Sequence, residues 1–184
     1  MSESSPVQLL SEAVKGAFKV LTEASQRAGK VTGAATGFDD LDQKIAGMHK
    51  GDLYIVAGRP GMGKTSFVLN VAANAARPRR IQIEDLNTPL GESSVEEPGI
   101  GVAIFSLEMP REQLASRLLA SEAGVDVSKI RSGNIGKDDW VALTEAAEKL
   151  GHLPLWLDDT PAIGLLDGRL SAVHRRVREL VKTR

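Results

Sequence analysis

The hydrophobic pattern is sharpest at Leu53-Tyr54-Ile55-Val56-Ala57, a continuous apolar run that opens into the glycine-rich turn Gly58-Arg59-Pro60-Gly61-Met62-Gly63. An apolar-periodic segment, Ser66-Phe67-Val68-Leu69-Asn70-Val71-Ala72, follows at once. Run, turn and periodic segment predict a strand, a tight loop and a helix in direct succession. A second run, Gly101-Val102-Ala103-Ile104-Phe105-Ser106-Leu107, has the character of a parallel strand buried on both faces. Pro110 opens the next helix, with a stripe at Leu114, Leu118 and Leu119 and Gly124 as its stop. The pattern then predicts a helix over Lys137–Leu150 with Trp140, Leu143, Ala147 and Leu150 on one face. A short strand over Leu153–Leu157 and a last helix over Leu165–Lys182 follow. Strands alternating with helices define an α/β class, a mostly parallel sheet with flanking helices.

Upstream, Ser5-Pro6-Val7-Gln8 reads as a helix start, with Ser5 as N-cap, Pro6 at the first helical position and Gln8 closing a capping box. Leu10, Val14, Ala17, Phe18 and Leu21 then recur at helical spacing, and Gly29 is the stop. Such a helix either packs on its own domain or forms an arm that docks on a neighbouring subunit; the pattern leaves both open. A short helix around Asp39–Lys44 and a turn lead into the first apolar run, and His49, without a partner at metal-ligand spacing, reads as an exposed turn residue. Residues 77–99 differ in character. They hold Pro78, Pro89, Gly91 and Pro98 with several acids, and no Lys or Arg occurs from Ile81 to Pro110. Apart from a short strand at Arg80–Ile83, this stretch is expected to be an inserted acidic surface loop, long for a connection within an α/β unit.

Composition narrows the class only a little. The 184 residues are 42% hydrophobic, enough for one domain with a real core. The net charge of −1 argues neither for nor against a polyanionic partner. Absence of cysteine excludes disulfides and thiolate metal sites and agrees with a cytoplasmic address. The first residues lack the basic region and apolar core of a signal peptide, and no apolar run approaches the roughly 20 residues that cross a bilayer.

The chemistry sits in the turn. Gly58-x4-Gly63-Lys64-Thr65 has the spacing of a P-loop. Gly58, Gly61 and Gly63 let the backbone curl so that the N–H groups of Arg59, Met62 and the residues on to Ser66 surround a phosphate, with Pro60, which has no N–H, as a rigid part of the turn. The helix starting near Lys64 adds the positive end of its dipole. Lys64 is placed to reach β- and γ-phosphates and the Thr65 hydroxyl to ligate Mg2+. Glu108 ends the second apolar run, where open α/β sheets put their ligands. If that strand neighbours the P-loop strand, Glu108 faces the γ-phosphate and activates water; otherwise it only stabilises the N-terminus of the following helix. Leu155-Trp156-Leu157-Asp158 superficially has the apolar-run-then-Asp form of a Walker B strand. The basic cluster His174, Arg175, Arg176, Arg178 and Lys182 fits a solvated helix face better than a nucleic-acid contact.

Several stretches together resemble the RecA-like ATPase domain of DnaB-type replicative DNA helicases. They are Thr36-Gly37-Phe38-x-x-Leu41-Asp42, Gly51-Asp52-Leu53, the loop from Gly58 to Thr65, Phe105-Ser106-Leu107-Glu108-Met109, Arg117-Leu118, Ser121-Glu122-Ala123, Asp139-Trp140 and Leu157-Asp158-Asp159-Thr160-Pro161. The resemblance covers about residues 5–181, broken by 77–99. It implies ATP and Mg2+ as cofactors and a hexameric ring moving 5′ to 3′ on single-stranded DNA to separate strands at the fork. It favours Glu108 as catalytic base, and residues 1–30 as a linker whose helix at 6–28 packs on the adjacent subunit. Residues 31–184 would then be a partial RecA-like domain. The family's Walker B strand, DNA loops and arginine finger lie beyond the last matched element, and collinearity makes Leu155–Asp158 an earlier strand. This chain alone is therefore expected to hydrolyse ATP poorly. The alternative is a nucleotide-binding interaction module without motor activity.

Overall fold

The computed structural model describes residues 9–26, 31–84 and 92–160. The cap at Ser5–Gln8, the stop at Gly29 and the helix over 165–182 with its basic cluster lie outside the described residues. The chain divides into two compact units, residues 1–52 with 79–97, and residues 53–78 with 98–184.

In the first unit, helix α1 spans Leu10–Gln26. Its apolar stripe is not covered: Leu10, Phe18 and Leu21 are 78%, 66% and 63% exposed. Helix α2, Asp39–Ile45, is positioned by a buried carboxylate. Asp42 Oδ1 accepts from the Thr36 backbone N–H at 2.8 Å and the Thr36 hydroxyl at 2.9 Å, and Oδ2 accepts from the Gly37 N–H at 3.0 Å. The Thr36-Gly37-Phe38-x-x-Leu41-Asp42 pattern is thus a self-contained hydrogen-bonded turn that folds the chain back onto the first turn of α2. Ala34 and Met48 close it through a reciprocal antiparallel bridge of 2.8 and 2.7 Å.

The expected loop at 77–99 is instead a two-stranded antiparallel ribbon, β1 (Arg79–Glu84) with β2 (Glu92–Glu97). Only the first strand was visible in the pattern, because the second, Glu-Ser-Ser-Val-Glu-Glu, carries a single apolar residue. Register explains the pairing: Arg79 lies opposite Glu97 and Arg80 opposite Glu96, the cross-strand opposition of charge that favours an antiparallel pair.

In the second unit, helix α3 (Lys64–Ala76) is followed by strand β3 (Val102–Phe105), helices α4 (Arg111–Ala123), α5 (Val127–Ser132) and α6 (Lys137–Gly151), and strand β4 (Leu155–Asp158). β3 and β4 pair in parallel, Val102 opposite Leu155 and Phe105 opposite Asp158. The core is Leu69 and Ala73 of α3 against Leu114 and Leu118 of α4, with Ile104, Leu155 and Leu157 packed on it from the strands. Each fully buried leucine of this kind contributes roughly 1.5–3 kcal/mol. The chain leaving α3 meets the chain entering β3. The Ile100 N–H donates to the Ala75 carbonyl at 3.0 Å, and a Cβ on Gly99 would fall 1.8 Å from the Ala76 oxygen, so only glycine fits there. Because the two ends of the 77–99 stretch meet there, the core accommodates a long insertion at little entropic cost.

Two further expectations change, and one helix was not expected. Residues 53–57 join no ladder among the described residues, and Leu53 and Ile55 are 84% and 82% exposed. A parallel strand exists only through its neighbours, and β3 pairs with β4 rather than with this run. The buried side of α6 is Leu143 and Ala146, with Leu150 half-buried, while Trp140 is 58% exposed and Ala147 is exposed. α6 is rotated about one position from the expected stripe because it packs on α4. α5, too short for a periodic signal, was not anticipated; its Asp126 N-cap accepts from the Ser128 N–H at 2.7 Å and its C-cap is Gly133. The other boundaries agree within a few residues, including Pro110 at the start of α4 and Gly124 at its left-handed C-cap.

Two stability predictions follow from these bonds. Asp42→Ala orphans the Thr36 and Gly37 donors and is expected to cost about 1–3 kcal/mol, read as a lower urea midpoint. Asp139 accepts from Lys129 Nζ at 2.9 Å and the Gly136 N–H at 3.2 Å, and Lys129 first, then Gly136, hold its carboxyl below the ordinary 3.8. Depressed in the fold, this group stabilises fully above 3.8 and loses its contribution as pH falls below it. The stability gap between wild type and Asp139→Asn should therefore narrow between roughly pH 7 and pH 3; an unchanged gap would contradict this origin.

Candidate nucleotide-binding site

The loop before α3 has the backbone that its glycines permit. Gly61 and Gly63 sit at φ +79° and +78°, left-handed values that side-chain-bearing residues resist. Gly63 is the N-cap of α3 and makes no side-chain cap. The first turn of α3 therefore presents N–H groups without side-chain competition. Lys64 folds back over the loop: its Nζ donates to the Gly58 carbonyl at 2.8 Å and the Arg59 carbonyl at 3.3 Å. The ammonium thus lies across the mouth of the glycine turn, braced by the backbone that would surround an anion. Thr65 is half-buried on the first turn of α3, and Ser66 is exposed beside it.

Residues 58–66 are accordingly brought together as one loop and helix start. Glu108 lies on the bend after β3, exposed and, among the described residues, without a hydrogen bond or ion pair. The bend is tied off by Ser106, whose hydroxyl donates to the Met109 carbonyl at 2.7 Å and accepts from the Met109 N–H at 3.0 Å. The carboxylate serving the N-terminus of α4 is Asp159, which accepts from the Arg111 N–H at 3.1 Å and faces the Arg111 guanidinium at 3.5 Å. The structure does not pair β3 with residues 53–57, so the neighbouring-strand route to Glu108 is absent here. Asp158 is engaged locally, accepting from the Thr160 N–H at 3.0 Å and the Thr160 hydroxyl. Among the described residues no group of three or more His, Asp or Glu side chains forms a metal cage.

A feature the sequence did not reveal is a cavity of about 360 Å3 on the flank of α3, between Ser66 and Asn70 on one side and Arg117, Ser121 and Asp126 on the other. The advance signals were the Arg117-Leu118 and Ser121-Glu122-Ala123 stretches and Ser66 at the end of the loop. These are scattered along the chain and carry no shared pattern.

A glycine-lined loop leading into a helix, a lysine over that loop, and helices packed on a parallel pair of strands define an α/β fold of the P-loop class. Within that class the chain belongs to the DnaB-like helicase C-terminal domain family, which it matches over residues 33–183. It is 36% identical over 177 residues to the replicative DNA helicase DnaC of Bacillus subtilis, covering 96% of this chain and 34% of that protein. To the replicative DNA helicase DnaB of Geobacillus stearothermophilus it is 39% identical over 153 residues, 83% of this chain and 29% of the relative. The chain thus spans about a third of the length of these relatives. In fold it is similar to a solved ATPase domain (TM-score 0.70, 22% identity, 94% of this chain and 53% of that one). It is also similar to a DnaB-like replicative helicase solved in a study of its interactions with primase (TM-score 0.64, 21% identity, 97% and 37%).

Because Gly63 holds a left-handed φ, Gly63→Val is expected to lose Mg-ATP binding by more than about tenfold while leaving the α3–α4 core folded. Titration calorimetry beside far-ultraviolet circular dichroism separates the two effects.

Proposed function

We propose that this chain binds Mg-ATP on residues 58–66 and serves as the ATPase part of a replicative DNA helicase. The observation that carries this reading is the Lys64 ammonium held across a glycine loop at the start of a 13-residue helix. The residues fit a triphosphate: the loop N–H groups and the α3 dipole accept its charge, and Lys64 exchanges two carbonyls for β- and γ-phosphate oxygens. The Thr65 hydroxyl would hold Mg2+ together with those oxygens, consistent with a cation that prefers phosphates and water to a protein cage. The bound triphosphate supplies the phosphoanhydride bond. Glu108, an exposed carboxylate not spent on capping α4, is assigned the proton of the attacking water on the family resemblance alone, since β3 is not paired with residues 53–57.

The reading extends to 5′-to-3′ movement on single-stranded DNA at a fork and to a homo-hexameric ring. Its support is family membership and the exposed stripe of α1, an uncovered amphipathic helix being suited to docking on an adjacent copy. No helix among the described residues is long and apolar enough to cross a membrane. A second reading, a nucleotide-binding interaction module without motor activity, draws on the run at 53–57, which lies outside both sheets.

Steady-state ATP hydrolysis with and without single-stranded DNA tests both. Lys64→Ala should abolish Mg-ATP binding and turnover. Glu108→Gln should bind normally and lose about 10²–10⁴ in rate, the usual contribution of a general base. Turnover surviving in Lys64→Ala would overturn the site; tight binding by wild type without turnover would mean either a part of a motor that is inactive alone or the interaction module.

A further inference from the structure

The ribbon of β1 and β2 takes no third strand among the described residues, so each strand presents an outer row of backbone N–H and C=O groups. A two-stranded ribbon alone is marginal in water, and a further strand is what such a ribbon lacks. Edges that stay single in folded proteins carry Lys, Pro or a bulge. β2, Glu92-Ser93-Ser94-Val95-Glu96-Glu97, has none of these: it holds no Lys and no Pro, and its 6 residues pair one to one with β1. β1 differs, with Arg79 and Arg80 in its first two positions. The unguarded edge is therefore that of β2.

Charge selects what can lie along it. Register sets Arg79 and Arg80 against Glu97 and Glu96, but it sets Glu84 against Glu92, like charges directly opposite and destabilising. Alternation places Glu84, Glu92 and Glu96 on one face of the ribbon. No Lys or Arg occurs between Ile81 and Pro110, so the adjoining chain brings no cation to the Glu84–Glu92 end. A second copy of β2 would add carboxylates there and a nucleic acid would add phosphates, and both raise the repulsion. An extended polypeptide with Lys or Arg at alternate positions relieves it while completing the main-chain ladder. We propose that the outer edge of β2 is a docking site for a basic, extended segment of another protein, taken up as a third strand. Main-chain bonds along Glu92–Glu97 supply the affinity, and the opposition of Glu84 and Glu92 supplies the selectivity for cations. Nothing in this docking requires a nucleotide on residues 58–66.

Fluorescence anisotropy of labelled peptides titrated with the whole chain at low salt tests this. The probes are a peptide of alternating Lys and Val, one of alternating Glu and Val, and one of alternating Lys and Pro, which matches the first in charge but cannot join a ladder. The Lys-Val peptide should bind at least about tenfold more tightly than either of the others, and it should slow hydrogen exchange of the β2 backbone amides. Glu92→Lys should weaken that binding about tenfold. Because this substitution sets a cation opposite Glu84, it favours the ribbon, and the loss cannot be laid to unfolding. No binding of the Lys-Val peptide, equal binding of the Glu-Val or Lys-Pro peptide, or unchanged affinity in Glu92→Lys overturns the proposal. So does slowed exchange in β2 that grows with the concentration of the chain in the absence of peptide, which would assign the edge to a second copy.

Discussion

Burial of Leu69 and Ala73 against Leu114 and Leu118 is the constraint on which the site depends. It locks the helix that carries Lys64 and Thr65 to the helix that carries Arg117 and Ser121, and seats both on the parallel strands. With the body of α3 clamped there, its first turn and the preceding glycines are held without any cap of their own. The loop can then leave its backbone N–H groups uncapped, as the proposed phosphate site requires. Loosening this packing would blur the loop and the flanking cavity together.

The same core accommodates the 77–99 insertion. The neck at Ala75–Ala76 and Gly99–Ile100 is closed by a backbone hydrogen bond and by an approach that only glycine allows. Nearby, Arg77 pairs with Glu122 of α4 and bonds Asn74 of α3, so the end of the loop helix is tied to its neighbour before the chain departs. The second strand of the ribbon that follows carries a single apolar residue, so periodicity missed it. Charge opposition between Arg79, Arg80 and Glu96, Glu97 becomes meaningful only once the turn has brought them opposite.

Glu108 shows how a three-dimensional neighbour redistributes roles. Alone in sequence, it could equally have served the start of α4 or a ligand. The fold gives the first task to Asp159, 48 residues beyond the Arg111 N–H that it accepts from. Glu108 is left as an exposed carboxylate on a bend braced by Ser106. Capping by a distant residue is invisible to a local pattern, since the Asp158-Asp159-Thr160 segment reads only as a strand end.

What the sequence alone determined was local. The spacing of Gly58, Gly63, Lys64 and Thr65, the left-handed demand met by glycine at 61 and 63, the Asp42-centred turn and the boundaries of α4 all depend on residues within a few positions of each other. Short-range sterics and hydrogen bonding decide such features before any packing occurs. Tertiary structure decided the rest: that β3 takes β4 as its partner, that residues 53–57 stay outside both sheets, that α6 buries Leu143 and Ala146 rather than Trp140, and that Ser66, Asn70, Arg117, Ser121 and Asp126 line one cavity. Strand partnership, helix rotation and cavity shape are set by which surfaces meet, and residues far apart in the chain carry no pattern that announces their meeting.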